Sequence, residues 1–175
     1  NQICQPCHTP HNAQVALEAP LWNHQFSQAV YTIYRSIKDN SQMGVSAIDG
    51  TSKLCLSCHD GTVALGSFGG QTGTDFITGG SNFGSDLSND HPISINYANA
   101  LAGGYGGLRA LTYLYSTYDP ATGAYTPGTK MVSSMLDASG EVQCTSCHGA
   151  HSNRLGYQLR MTNRGSQLCL ACHSK

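Results

Sequence analysis

The chain has 175 residues, a formal net charge of −1 and 11% charged residues, less than half of the roughly 25% usual in soluble domains. Hydrophobic residues make up 39%, below the usual proportion of about 45–50%. This composition gives no basic surface for nucleic acid. The sequence also contains no apolar run of 18 residues, the length that a membrane-spanning helix needs. The polypeptide supplies too little apolar surface for an ordinary core.

One pattern, Cys-x-x-Cys-His, occurs four times: CQPCH at 4–8 (motif 1), CLSCH at 55–59 (motif 2), CTSCH at 144–148 (motif 3) and CLACH at 169–173 (motif 4). This pattern is the attachment sequence of c-type haem. Two thiols one turn apart can form thioethers with the two porphyrin vinyl groups, and the adjacent histidine can then bind the iron. We therefore predict four covalent haem c groups. The attachment residues are Cys4, Cys7, Cys55, Cys58, Cys144, Cys147, Cys169 and Cys172, and the proximal iron ligands are His8, His59, His148 and His173.

Other cysteine chemistries explain the pattern less well. Zinc also binds paired cysteines but needs no histidine directly after the second one. Iron–sulfur clusters use different cysteine spacings, and a disulfide framework would leave the four histidines unexplained.

Along the chain, the first segment with a periodic pattern is 24–38. It places Phe26, Val30, Ile33 and Ile37 at helical spacing and predicts a helix, although its β-branched and aromatic residues also favour a strand. We also expect a short helical turn after each haem motif.

The segment 60–143 has no haem motif and is rich in glycine and tyrosine, with 15 of the 20 glycines. Such glycine density indicates turns. Within it, TYLYSTY (112–118) predicts a strand and YDPATGAY (118–125) a hairpin turn. The predicted fold is mostly irregular coil with short helices and a few short β-hairpins. It forms one domain, 1–175, with the haem array as its core.

Four histidines lie outside the motifs, one for each predicted iron. This equality predicts that every iron has two histidine ligands. The rival sixth ligand is methionine, available at Met43, Met131, Met135 and Met161. The predicted distal ligands are His11, His24, His91 and His151.

His11 cannot bind the iron held by His8. Trans imidazoles lie on opposite faces of a porphyrin, and three residues span at most about 10–11 Å. The sequence CTSCHGAH repeats this arrangement, so His151 must also serve another haem, and that of motif 4 is near along the chain. His11 serves either the haem of motif 2 or a haem in another molecule.

The stretches CHTPHN, PLWN, CLSCHDG, NDHPI, CTSCHGAH and LCLACH resemble the small multihaem cytochromes of metal-reducing bacteria and archaea. Among these, the chain is most similar to the tetrahaem, OmcE-like extracellular cytochrome nanowire subunits. The resemblance covers nearly the whole chain through motif order and spacing, but 60–143 has few diagnostic residues. It implies a mostly coil fold, bis-histidine haems in alternating parallel and T-shaped pairs, and polymerisation. It also implies one axial histidine donated across the subunit boundary, a role that falls on His11.

These patterns predict a structural electron conduit, not an enzyme: a head-to-tail homopolymer that passes electrons to redox partners or extracellular acceptors. Motifs 1 and 4 have little chain beyond them to cover their haems, which favours such contacts. The alternative is a soluble periplasmic shuttle, which would gain from a charged docking face. A multihaem reductase is less favoured, because it needs an open iron position. Since haem c is attached outside the cytoplasm and the chain does not begin with methionine, we expect a removed signal peptide and an extracellular location, or else a periplasmic one.

Overall fold

The computed structural model describes residues 3–16, 19–36, 38–39, 43, 45, 47–119 and 121–174. Regular elements are short and few. The helices are α1 (Gly50–His59), α2 (Tyr97–Ala102), α3 (Cys144–Cys147) and α4 (Gln167–Leu170). The strands are β1 (Thr32–Ile33), β2 (Asp86–Leu87), β3 (Ile95–Asn96), β4 (Leu114–Asp119), β5 (Ala124–Met131) and β6 (Glu141–Val142). Single 3₁₀ turns lie at Gly79–Ser81, Val132–Met135 and Arg164–Ser166. The predicted irregular fold with short helices and strands is confirmed, whereas the haem core stays a prediction.

The chain forms two compact units. Unit 1 lies within 1–34 and 47–91, and unit 2 within 35–46 and 92–175. Motifs 1 and 2 therefore belong to unit 1, and motifs 3 and 4 to unit 2. The single domain over 1–175 stays a prediction.

In unit 1, α1 carries motif 2 at its C-terminal end. Leu54 and Leu56 of this helix are buried. The helix gives way to a turn at Gly61, whose φ is +71°, a left-handed conformation that favours glycine. Also in unit 1, β1 and β2 pair in parallel, with Thr32 opposite Asp86.

In unit 2, β4 and β5 form an antiparallel hairpin in which Tyr118 pairs with Tyr125. The predicted strand at 112–118 and hairpin turn at 118–125 are confirmed. The strands β3 and β6 also pair antiparallel, with Ile95 opposite Val142. The main apolar cluster of unit 2 consists of Tyr115, Met135, Met161 and Ala171, with Leu168 and Cys172 packed against it.

The predicted helix at 24–38 is wrong. Its described residues form no helix and have only β1 as a strand, and Ile37 lies outside the described residues. The backbone N–H groups bond to distant partners instead of to carbonyls four residues back. Gln25 N–H donates to Ser67 O at 2.9 Å, and Ser27 N–H to Ser57 Oγ at 3.3 Å. The β-branched and aromatic residues of this segment are better suited to such an extended chain.

The expected helical turns after the motifs are also wrong, because the turns contain the motifs themselves. The histidine N–H closes the turn by donating to the carbonyl of the first cysteine, which lies four residues back. The N···O distance is 2.8 Å in motif 1 and 2.9 Å in motifs 3 and 4, while motif 2 completes α1. Among the described residues, no helix is both long and apolar enough to span a membrane.

Candidate functional site

The cysteines of each motif project from one helical turn. Residues three apart in a helix lie on the same face, so each turn presents both of its thiols to the same side. All eight cysteines lie within the described residues, and none of them forms a disulfide.

The thiol of the second cysteine in each motif is partly buried, which raises its pKa. Burial raises the pKa of Cys58 and of Cys172 to about 11, and it also raises the pKa of Cys7 and Cys147. Neighbouring thiols add to this effect, and the neighbours link the motifs. Cys7 contributes to the shift at Cys58, and Cys169 to the shift at Cys147. The structure therefore brings motifs 1 and 2 together in unit 1, and motifs 3 and 4 together in unit 2.

The histidine of every motif makes the same bond from its ring. Its Nδ1 lies within hydrogen-bonding distance of a backbone carbonyl. In the Nδ1–H tautomer, the ring N–H donates a hydrogen bond to this carbonyl. This tautomer leaves the Nε2 lone pair for an iron. The distances are 2.9 Å from His8 to Pro20 O, 2.8 Å from His59 to Ser81 O, 2.9 Å from His148 to Tyr157 O and 2.7 Å from His173 to Gly106 O.

In motif 1 the segment that supplies this carbonyl also pairs with the motif's backbone. Thr9 N–H donates to Leu21 O at 2.9 Å, and Asn23 N–H donates to Cys7 O at 2.9 Å. Together with the ring bond to Pro20, these contacts hold the histidine from both sides. We call this three-bond arrangement the carbonyl clamp, and 20–22 its clamp segment.

The same clamp recurs at motifs 3 and 4. At motif 3 the clamp segment is 157–159, and the two backbone bonds measure 2.7 and 2.9 Å. At motif 4 the clamp segment is 106–108, and the two bonds measure 2.9 and 2.7 Å. In all three segments the middle residue is left-handed and the last is a large apolar residue that forms an antiparallel bridge with the motif histidine. The middle residues are Leu21 (φ 60°), Gln158 (φ 53°) and Gly107 (φ 60°), and the bridging residues are Trp22, Leu159 and Leu108.

Motif 2 keeps the ring bond but not the clamp. Its carbonyl segment is 81–83, which also ends in a large apolar residue, and the ring of Phe83 lies 5.8 Å from that of His59. Here Phe83 N–H donates to His59 O at 2.7 Å, and the middle residue, Asn82, has φ −96°. The ring of His59 is thus positioned through a different backbone register.

Among the predicted distal ligands, His24 is completely buried in unit 1. Its Nδ1 lies 2.9 Å from Gln25 O, and its Nε2 lies 3.1 Å from Ala64 O and 3.4 Å from Cys58 Sγ. A neutral imidazole has one N–H and can donate to only one of the two carbonyls. Nε2 is the ring atom of His24 that lies next to an attachment residue of motif 2, Cys58.

The other three predicted distal histidines, His11, His91 and His151, are exposed, and their ligand roles stay predictions. Of the rival methionines, Met135 and Met161 are buried in the apolar cluster of unit 2, whereas Met131 is 46% exposed. Within the described part of the chain, no three His, Cys, Asp or Glu side chains converge as a metal site.

The residues present fit a covalently attached haem. The thiols are not engaged in disulfides, and in the Nδ1–H tautomer Nε2 is the ring nitrogen of each motif histidine that would bind iron. The sequence alone did not reveal the four accepting carbonyls, which belong to Pro20, Ser81, Gly106 and Tyr157. Their shared signal is a large apolar residue two positions later, in PLW, SNF, GGL and YQL, which is too common a pattern to be recognised alone.

The comparisons with known proteins agree with this chemistry. The family model described as "Doubled CXXCH motif" matches residues 138–175, which contain motifs 3 and 4. No match was found among curated proteins. The doubled motif supports a multihaem c-type cytochrome that carries covalently bound haem c. The match to the doubled motif indicates a haem-binding electron-transfer protein rather than an enzyme.

Proposed function

We propose that the chain carries four haem c groups, each bound by two histidines, and transfers electrons along them. The observation that carries this proposal is the recurring bond from Nδ1 to a carbonyl, which prepares the histidine of all four motifs in the same way. Motifs 1 and 2 share it although the family match covers only motifs 3 and 4. The bound haem supplies an iron that alternates between the ferric and ferrous states.

The chain's own residues have three tasks in this function. The thiols attach the porphyrin, and the carbonyls fix the tautomer and orientation of each proximal ring. The large apolar residues opposite the histidines, such as Trp22 and Leu108, shield the site from water. The pairing of motifs within each unit favours short distances between haems, on which rapid electron transfer depends.

The haem count is tested by intact-protein mass spectrometry of the secreted, mature chain. We expect the mass of the polypeptide plus four haem groups. The double variant Cys4→Ala/Cys7→Ala should carry three, and the control Gln5→Ala, an exposed position within the same motif, should retain four. A wild-type chain with only the two haems of motifs 3 and 4 would contradict the proposal.

We further propose that the protein is secreted and that copies polymerise head to tail into an extracellular filament. Three features support this proposal: the resemblance carried by the motif order, the low charge of the chain and the exposed position of His11. A histidine at the surface can bind an iron of a neighbouring copy without rearrangement of its own fold. Electron microscopy of material released by cells tests the assembly. Filaments are expected, and dispersed monomers would favour the periplasmic shuttle.

A further inference from the structure

The single tryptophan, Trp22, has a buried donor that nothing in the described chain accepts. The side chain is 6% exposed, and its Nε1 is buried without a hydrogen-bond partner among the described residues. Leaving such a group unpaired costs about 1–3 kcal/mol. A buried indole N–H usually finds an acceptor. The position therefore calls for an acceptor that the polypeptide does not supply.

The surroundings of the indole place this missing acceptor at the haem sites of unit 1. Trp22 forms an antiparallel bridge with His8, and residues directly opposite in such a pair project to the same face. On its other side, the indole lies 6.5 Å from the ring of His24 in a T-shaped arrangement. His24 Nε2 in turn lies 3.4 Å from Cys58 Sγ. Trp22 thus pairs with motif 1 through its backbone, and its indole lies beside His24, which contacts motif 2.

Nearby polypeptide groups already have other partners. The Asn23 side-chain oxygen accepts from Gly69 N–H at 3.0 Å. The Phe26 ring stacks on the indole with centroids 6.3 Å apart and offers no oxygen. A haem contributes two propionates, whereas its four ring nitrogens bind the iron. The propionates are therefore its acceptors for an N–H group.

We propose that Trp22 Nε1–H donates a hydrogen bond to a propionate of a haem in unit 1, that of motif 1 or motif 2. This inference rests on the proposed function, because it requires haem at these motifs. The bond satisfies the buried donor and anchors the porphyrin edge. It also offsets part of the carboxylate's negative charge, which otherwise favours the ferric state. Trp22 is thus a haem-binding residue that raises the reduction potential of one haem.

The test compares Trp22→Phe with Phe26→Leu in the haem-loaded chain. The first removes the N–H and keeps an aromatic ring, while the second loosens the packing of the same indole and keeps its N–H. In a redox titration at neutral pH, Trp22→Phe should shift one of the four haems to lower potential. Phe26→Leu should leave that haem near its wild-type potential. Equal shifts in both variants, or none in Trp22→Phe, would overturn the inference.

A second measurement on the wild-type protein does not depend on how the variants fold. Labelling with ¹⁵N-tryptophan gives one indole N–H signal. In the reduced protein, its proton should show a nuclear Overhauser effect to the methylene protons of a propionate, and the assignment of that haem separates motif 1 from motif 2. An indole proton that contacts only water or protein would refute the propionate bond. Mass spectrometry distinguishes the two failures, because a chain lacking these haems contradicts the proposed function instead.

Discussion

His24 Nε2 lies 3.4 Å from Cys58 Sγ, although the two residues are 34 positions apart in the chain. The fold thus places a fully buried histidine next to Cys58, an attachment residue of motif 2. The ring is held by two carbonyls, Gln25 O next to Nδ1 and Ala64 O next to Nε2, of which a neutral imidazole can donate to one. Among the four predicted distal ligands, His24 is therefore the one whose replacement we expect to have the most direct consequences.

We expect His24→Ala to leave one iron five-coordinate or water-bound, because an alanine side chain cannot bind iron. It should also destabilise unit 1 by at least about 2 kcal/mol, because the removed ring leaves a cavity. Electron paramagnetic resonance should show one high-spin iron per chain. His24→Met is the matched control, which should retain six-coordinate iron and raise the potential of that haem. An unchanged low-spin spectrum in His24→Ala would exclude this residue as a ligand.

The ring of His173 has a close glycine neighbour. A Cβ at Gly106 would lie 3.2 Å from His173 Cε1, and the residue has φ +64°. Gly106→Ala should therefore strain the backbone by about 1–2 kcal/mol and also displace the ring. Gly123→Ala shares the left-handed strain at φ +69° but would meet nothing within 4 Å. Both variants should unfold at lower denaturant concentration. Only Gly106→Ala should change the potential or the resonance spectrum of the haem at motif 4.

The raised pKa of Tyr97 predicts that the folded chain loses stability at alkaline pH. Burial raises the pKa of Tyr97 to about 12 from its ordinary value of 10.0, and its hydroxyl lies 2.9 Å from Arg109 O and 3.0 Å from Cys172 O. Between these two pKa values the unfolded chain binds fewer protons than the folded one, so stability falls as pH rises. Denaturant titrations should show this decline from about pH 10 to 12. Tyr97→Phe should weaken the decline, whereas Tyr118→Phe, on the β4–β5 hairpin, should preserve it.

The exposed position of His11 leads to a prediction about assembly. If this histidine binds an iron of the next copy, His11→Ala should abolish filaments while all four haems stay attached, because thioether formation does not involve it. His151→Ala is the control, because this histidine is also exposed but is predicted to serve the haem of motif 4 in its own chain. It should change the ligation of one iron and leave filaments intact. Electron microscopy and mass spectrometry of both variants check this, and normal filaments from His11→Ala would refute the crossing.

The chemistry of the site could be predicted from the sequence far better than its surroundings. The attachment pattern is local, because Cys-x-x-Cys-His needs only one helical turn to present its groups. The hairpin at β4–β5 was equally local, since a turn sequence separates two segments of strand-forming residues. In contrast, residues 24–38 have helical spacing but form long-range bonds, such as Gln25 N–H to Ser67 O. Such tertiary contacts override a weak local preference.

The carbonyl clamp shows most clearly what local patterns miss. The ring of His173 is oriented by Gly106, 67 residues earlier, whereas that of His148 is oriented by Tyr157, nine residues later. The accepting atoms are backbone carbonyls, which every residue possesses. The residue types in the sequence therefore do not indicate where these bonds form. The middle residue of the clamp segment has a left-handed backbone, which favours glycine. It is glycine at 107 but leucine at 21, so no single residue type marks this position in the sequence.

The central claim is four irons with two histidine ligands each, and quantitative electron paramagnetic resonance of the oxidised wild-type chain tests it most directly. Spin integration against the protein concentration gives both the number of irons and their ligand field. The account predicts four low-spin ferric irons per chain and no high-spin signal. Fewer than four irons on homogeneous protein, or a stoichiometric high-spin component, would contradict it.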